Sequence, residues 1–118
     1  MNRIRKLVNS FGYALRGIAV ALRTEQNLQI HLIAVVVVTI AGIMLDVSAT
    51  EWMVLVICFG MLISAELFNT AIEKLVDEVS PEHNSRAGLV KDVAAGGVLV
   101  LAIAAIIIGG IIFIPKLI

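Results

Sequence analysis

Three long apolar stretches divide the chain. The first runs from about Leu28 to Leu45 and is broken only by Gln29, His31 and Thr39. The second runs from Trp52 to Ala65 and continues, with polar interruptions, to about Val76. The third, Val93 to Ile114, carries no charge at all. A helix needs about 20 residues to cross the hydrocarbon core of a bilayer. The third stretch meets that length outright and the first nearly does. The second meets it if its helix continues through Glu66 and Glu73. In lipid every backbone amide must be paired within its own segment, and the runs do not alternate as barrel strands would. The pattern therefore predicts three transmembrane helices, over about 27–46, 51–77 and 91–115.

Ahead of them, Ile4, Leu7, Val8, Phe11, Leu15, Ile18 and Leu22 recur at three- and four-residue spacing. Arg3, Lys6, Ser10 and Arg16 fall elsewhere on the same helix. This predicts an amphipathic helix over about 3–23, lying on a membrane surface with its basic residues toward anionic headgroups. An ordinary amphipathic helix packed on the bundle has the same pattern. The link Asp46–Glu51 predicts a short hairpin. Ser80-Pro81 stops the second span, because proline lacks an N–H and disfavours helix before it. Ser80 to Gly88 is expected to be a polar loop. The expected fold is an all-α membrane protein in one domain, 1–118, with no repeat and no low-complexity segment.

Composition sharpens this. Of 118 residues, 60% are hydrophobic and only 15% charged, with a mean hydropathy of +1.04. So short a chain has too much surface to hide that much apolar side chain from water. The formal net charge is zero, so no global basic field points to nucleic acid. The single Cys58 cannot form an intrachain disulfide, and no removable signal peptide is expected at the N-terminus. Arg3, Arg5, Lys6, Arg16 and Arg23 precede the first span, and Lys74, Arg86 and Lys91 surround the second loop. The hairpin has no basic residue. The positive-inside rule then predicts a cytoplasmic N-terminus and a cytoplasmic 80–88 loop in the cell (inner) membrane, with Lys116 alone opposing.

The chemistry gathers on Glu66-Leu-Phe-Asn69-Thr70-Ala-Ile-Glu73-Lys-Leu-Val-Asp77. Its polar residues are three or four apart and share one helical face. Ionisable groups in a span are costly and mark function by default, whereas a polar packing seam does not need several acids. Acids so gathered suit a hard cation with oxygen ligands, and magnesium is typically held by one or two carboxylates plus substrate phosphates. Glu25 opens the first span and Lys91-Asp92 the third, at the same membrane depth. Interface anchoring near a helix N-terminus explains Lys91-Asp92 equally well. No phosphate loop or kinase glycine loop is present. Gly96-Gly97 and Gly109-Gly110 read as close helix packing. His31 and His83 show no zinc pattern, and His31 reads as a packed polar residue. Asp46 and Glu51 read as solvated hairpin charges.

The run Glu66-Leu-Phe-Asn-Thr-Ala-Ile-Glu73, then Val76-Asp77, then Lys91-Asp92-Val-Ala-Ala-Gly96, resembles the signature of the prokaryotic diacylglycerol kinase and undecaprenol kinase family. Phe11-Gly-Tyr13-Ala-Leu-Arg-Gly17 and Arg23-Thr-Glu25-Gln-Asn27 resemble it as well, in order and over nearly the whole chain. The resemblance implies a homotrimeric three-span enzyme with an N-terminal surface helix, which uses magnesium and ATP to phosphorylate a membrane lipid hydroxyl. It implies Glu66 as catalytic base in contact with the lipid, and Glu25 and Glu73 as the metal pair that also meets ATP. It implies ATP contacts at Lys6, Tyr13, Glu82, His83, Asn84, Lys91 and Asp92, with Lys91 on the phosphates. Asn69 and Asp77 match positions that support the site, and Gly96 one that meets lipid. The 80–86 loop is the part least like the family. Phe68 stands where a smaller aliphatic is usual, which narrows a lipid groove. Thr70 and the Val-Ala-Ala-Gly run look more like the undecaprenol kinase branch.

Phosphoryl transfer mostly needs positioning and charge neutralisation, which a metal, two acids and a lysine can supply. A helix N-terminus beneath Lys91-Asp92 would favour phosphate further. Two rival classes remain: a non-catalytic membrane scaffold with the acids as an assembly seam, and a cation-pathway subunit. Transporters usually place their coupling site near the bilayer midplane, whereas these acids crowd one interface.

Overall fold

The computed structural model describes residues 2–118. They form four helices: α1 (Asn2–Thr24), α2 (Gln26–Met44), α3 (Ala49–Val79) and α4 (Ser85–Leu117). α2, α3 and α4 are each long and apolar enough to cross a membrane. The acid-bearing helix runs unbroken through Glu66 and Glu73 to Val79. At 1.5 Å per residue, α3 and α4 are about 45–50 Å long. That exceeds the roughly 30 Å hydrocarbon thickness, so an end of each must project from it.

Local chemistry sets the boundaries. α1 and α2 are separated by Glu25 alone, whose backbone is extended. At the end of α1 two side chains fold back onto the preceding turn: Arg23 Nε donates to Ala19 O and Thr24 Oγ1 to Val20 O. Gln29 Nε2 reaches back from α2 to Leu22 O at 2.8 Å. At the hairpin, Asp46 takes a left-handed backbone (φ 55°), a conformation that aspartate tolerates better than most residues. Ser48 and Glu51 then form a capping box. Ser48 Oγ accepts from Glu51 N, and Glu51 Oε1 accepts from Ser48 N. Glu51 is therefore not the merely solvated charge its position suggests. Its Oε1 also lies 3.1 Å from Lys116 Nζ, tying the start of α3 to the end of α4.

The expected 80–88 loop is shorter than its composition implies. Asn84 caps α4 by accepting from Ala87 N at 2.9 Å, and the helix starts at Ser85. Only Ser80 to Asn84 lie outside helix. Gly88 sits within α4, where glycine costs about 1 kcal/mol against alanine but does not break a helix. Lys91-Asp92 consequently lie inside α4, beyond its first turn. The helix N-terminus expected beneath them is instead at Asn84, and α4 continues past the expected end at 115, carrying Pro115 within its last turn.

α3 and α4 form the principal antiparallel pair, α2 lies against α3, and α1 meets α2 and α3. The buried apolar cluster sits at the hairpin end: Val47, Leu55 and Ile112, with Val38, Trp52, Phe59, Ile108 and Phe113 packed around them. Most other large apolar side chains face outward along all four helices. Such a surface is stable against lipid tails or further copies of the chain, not against water.

Candidate active site

The site begins with the periodicity of α3. Residues 66, 69, 70, 73 and 77 fall on one side of the helix, and the structure splits them between two shoulders. Glu66, Asn69 and Thr70 are all buried. Glu66 and Asn69 line a pocket of about 250 Å³ between α2, α3 and α4, with Asn27 and His31 from α2 and Ala95, Val98, Leu99 and Ala102 from α4. Gly96 is not part of that lining; its neighbour Ala95 is. Thr70 faces the other way, into a larger groove between α1 and α3 that Tyr13, Arg16, Leu67 and Lys74 help to line. That groove has a volume of about 530 Å³.

Glu66 is 3% exposed, and its Oε2 lies 3.6 Å from His31 Nε2. Sequence reasoning passed over His31 because an imidazole in an apolar run has no local sign of its partner. Asn69 Nδ2 donates to Glu73 Oε1 at 3.1 Å, holding that half-buried carboxylate. Asn69 Oδ1 is buried without a partner. Glu25, at the junction of α1 and α2, lies 3.8 Å from Lys74 Nζ. Glu25, Glu73 and His31 all act electrostatically on Glu66, so these helices bring three acids and one imidazole to one region.

Among the described residues no group of three or more His, Cys, Asp or Glu side chains could hold a metal ion alone. Magnesium is instead usually held by one or two carboxylates completed by nucleotide phosphates, and Glu25 and Glu73 are carboxylates of that kind. The residues present fit such an ion and do not fit an all-protein cage.

The remaining candidates lie toward the α3–α4 turn. Lys91 Nζ pairs with Asp77 Oδ1 across the two helices. Asp77, His83 and Lys91 share a small cavity of about 110 Å³ with Ser80 and Pro81. Asn84 is engaged as the α4 cap, and its Nδ2 donates to Ser80 Oγ at 2.7 Å. Glu82 and Asp92 are exposed, as are Lys6 and Tyr13 on α1. Of these, Tyr13 borders the α1–α3 groove, and among the described residues no ion pair ties Lys6 to the acids.

The arrangement thus couples a buried carboxylate in an intramembrane pocket to a more open acidic and basic rim. The prokaryotic diacylglycerol kinase family model matches residues 12–113. The chain is 43% identical over 116 residues to an undecaprenol kinase of Bacillus subtilis, covering 98% of this chain and 94% of that protein. It is 39% identical over 112 residues to a diacylglycerol kinase of Synechocystis, covering 94% of this chain and 64% of that protein. A diacylglycerol kinase of Escherichia coli is 28% identical over 102 residues, with 86% and 84% covered. With its family signature spread across all four helices, the chain belongs to the prokaryotic diacylglycerol kinase family and is a multi-pass membrane lipid kinase.

Proposed function

We propose that this protein transfers the γ-phosphate of magnesium-bound ATP to the terminal hydroxyl of undecaprenol, with diacylglycerol as the competing acceptor. The observation that carries the reading is Glu66. A carboxylate buried at 3% exposure inside a span, facing a pocket with an apolar α4 wall, is expensive without a chemical task. The similarity to the Bacillus subtilis undecaprenol kinase over nearly the whole chain supports the choice of acceptor.

In this reading the lipid tail lies along the apolar wall of Ala95, Val98, Leu99 and Ala102 and its hydroxyl meets Glu66. Glu66 accepts the hydroxyl proton as the oxygen attacks the γ-phosphorus. The bond from that phosphorus to the bridging oxygen breaks, and ADP leaves. Asn69 orients Glu73, and Glu73 and Glu25 hold the metal. When bound, magnesium neutralises charge on the phosphates and fixes them for in-line attack. Lys91 adds a cation to the phosphates, with Tyr13, Lys6, Glu82, His83, Asn84 and Asp92 as further nucleotide contacts.

The reading also includes a cytoplasmic N-terminus and active site, a homotrimer, and α1 on the inner leaflet. Outward-facing Ile4, Leu7 and Phe11 on α1 support the last of these. The excess of Lys and Arg before α2 and around the α3–α4 turn supports the orientation.

The test is phosphate transfer from labelled ATP by the purified protein in mixed micelles, with undecaprenol and diacylglycerol offered in parallel, each with and without magnesium. Magnesium-dependent labelling of undecaprenyl phosphate is expected. Labelled phosphatidic acid alone would reverse the acceptor.

A further inference from the structure

We propose that His31 is a positioning residue for Glu66, holding the carboxylate toward the acceptor pocket from the α2 side. The inference rests on the reading of Glu66 as the base. Three observations carry it. His31 Nε2 lies 3.6 Å from Glu66 Oε2, beyond a direct hydrogen bond but well within ion-pair range. The two side chains come from different helices and line the same pocket, His31 being 21% exposed and Glu66 3%. The other charged groups that act on Glu66 are both acids: Glu25 from the α1–α2 junction and Glu73 from α3 itself. The α4 wall contributes only Ala95, Val98, Leu99 and Ala102.

An ionised carboxylate in this setting is repelled by two neighbours of like charge and has lost most of its water. An unpaired buried charge is strongly unfavourable. His31 faces the carboxylate from the α2 side with its Nε2 at 3.6 Å, and its ring limits which rotamers Glu66 can take. The other polar interruptions of the first span find partners within α1 or α2. Thr39 Oγ1 donates to Val35 O and Gln29 Nε2 to Leu22 O. Only His31 reaches across to an acid of α3. A histidine kept merely for packing would not require a carboxylate opposite it.

The experiment compares His31→Gln, His31→Lys, Glu66→Gln and the double variant His31→Gln/Glu66→Gln in the mixed-micelle assay. Folding is checked by far-UV circular dichroism and by the emission of Trp52, the one tryptophan. His31→Gln is expected to lower kcat about ten- to a hundredfold, the scale of a misplaced reacting group, with KM for ATP within about twofold. His31→Lys places a cation at the site and is expected to recover most of kcat. Adding His31→Gln to Glu66→Gln is expected to cost nothing further, because groups acting as a unit are non-additive. A folded His31→Gln with wild-type kcat overturns the proposal, as does a His31→Lys no better than His31→Gln or a multiplicative loss in the double variant. If Glu66→Gln itself keeps near-normal turnover, the base assignment fails first. An inactive Glu66→Gln beside an unimpaired His31→Gln refutes the role of His31 alone.

Discussion

Lys91 of α4 is held by Asp77 of α3, so the lysine proposed to meet the phosphates of ATP is already paired across the helix hairpin. Asp77 is 66% exposed and Lys91 36%. A pair that open to solvent contributes little to folding, and its consequence is where the ammonium points. Asp77→Asn is therefore expected to leave stability nearly unchanged and to raise KM for ATP by a few-fold, as Lys91 loses its support. Lys91→Met removes the charge itself and should raise KM about tenfold or more, the scale of a charge-assisted hydrogen bond. Initial rates across an ATP titration check both. A lower KM in Asp77→Asn would show that the acid competes with nucleotide for the lysine.

Asn69 links the buried half of the site to Glu73, one of the two acids proposed to hold the metal, because its amide donates to Glu73 while its oxygen has no partner. Glu73→Gln removes one negative ligand and should shift the magnesium dependence of turnover upward by about tenfold or more. Glu25→Gln should act in the same direction by a smaller factor, because Glu25 is also paired with Lys74. Magnesium titrations at saturating ATP check this. An unchanged magnesium midpoint in Glu73→Gln removes it from the metal pair.

Much of this site was legible from spacing alone. The three- and four-residue intervals from Glu66 to Asp77 placed the acids on one side of a single helix, because helical periodicity is a local property. The division of that side was not legible. Asn69 and Thr70 are adjacent in sequence but sit on opposite shoulders, and which neighbour each meets depends on where α1 and α4 pack. The same limit hid the His31–Glu66 and Glu51–Lys116 pairs, whose members lie on different helices. The start of α4 was misread for a different reason. A run of polar residues after proline looks like a loop, yet Asn84 accepts from Ala87 N and turns Ser85–Gly88 into a first helical turn. The low propensity of Ser and Gly was outweighed by a cap.

Gly42 and Trp52 make a close contact at the hairpin end. A Cβ built on Gly42 would lie 2.7 Å from Trp52 Cη2 and 2.9 Å from Cζ2. The indole would have to move, and overpacking of this kind costs about 1–3 kcal/mol. Alanine regains up to about 1 kcal/mol of helix propensity. Gly42→Ala is thus expected to destabilise the protein modestly and to change the emission of Trp52. Gly12→Ala, with nothing within 4 Å of the new carbon, should be neutral or stabilising. Thermal unfolding in detergent, followed by tryptophan fluorescence, separates the two. Equal midpoints for Gly42→Ala and the parent would show that the indole relocates freely.

Glu66→Gln isolates the chemical step from binding. Glutamine keeps the size of the side chain and its capacity to face Asn69 and His31, but it cannot accept a proton from the acceptor hydroxyl. General-base catalysis is worth about a hundred- to ten-thousandfold, so kcat should fall by that factor. Glu66 is buried in the pocket, whereas Lys91 and Asp77 lie in a separate cavity near the α3–α4 turn. ATP affinity, read by equilibrium binding, should accordingly stay within about twofold of the parent. Replacing the acid removes a repulsion from Glu25 and Glu73 but also its contact with His31, so Glu66→Gln should unfold close to the wild-type temperature even as turnover is lost. Retained stability with loss of kcat is the signature of an acid kept for chemistry. Loss of both together would instead mark Glu66 as a structural polar contact between α2 and α3.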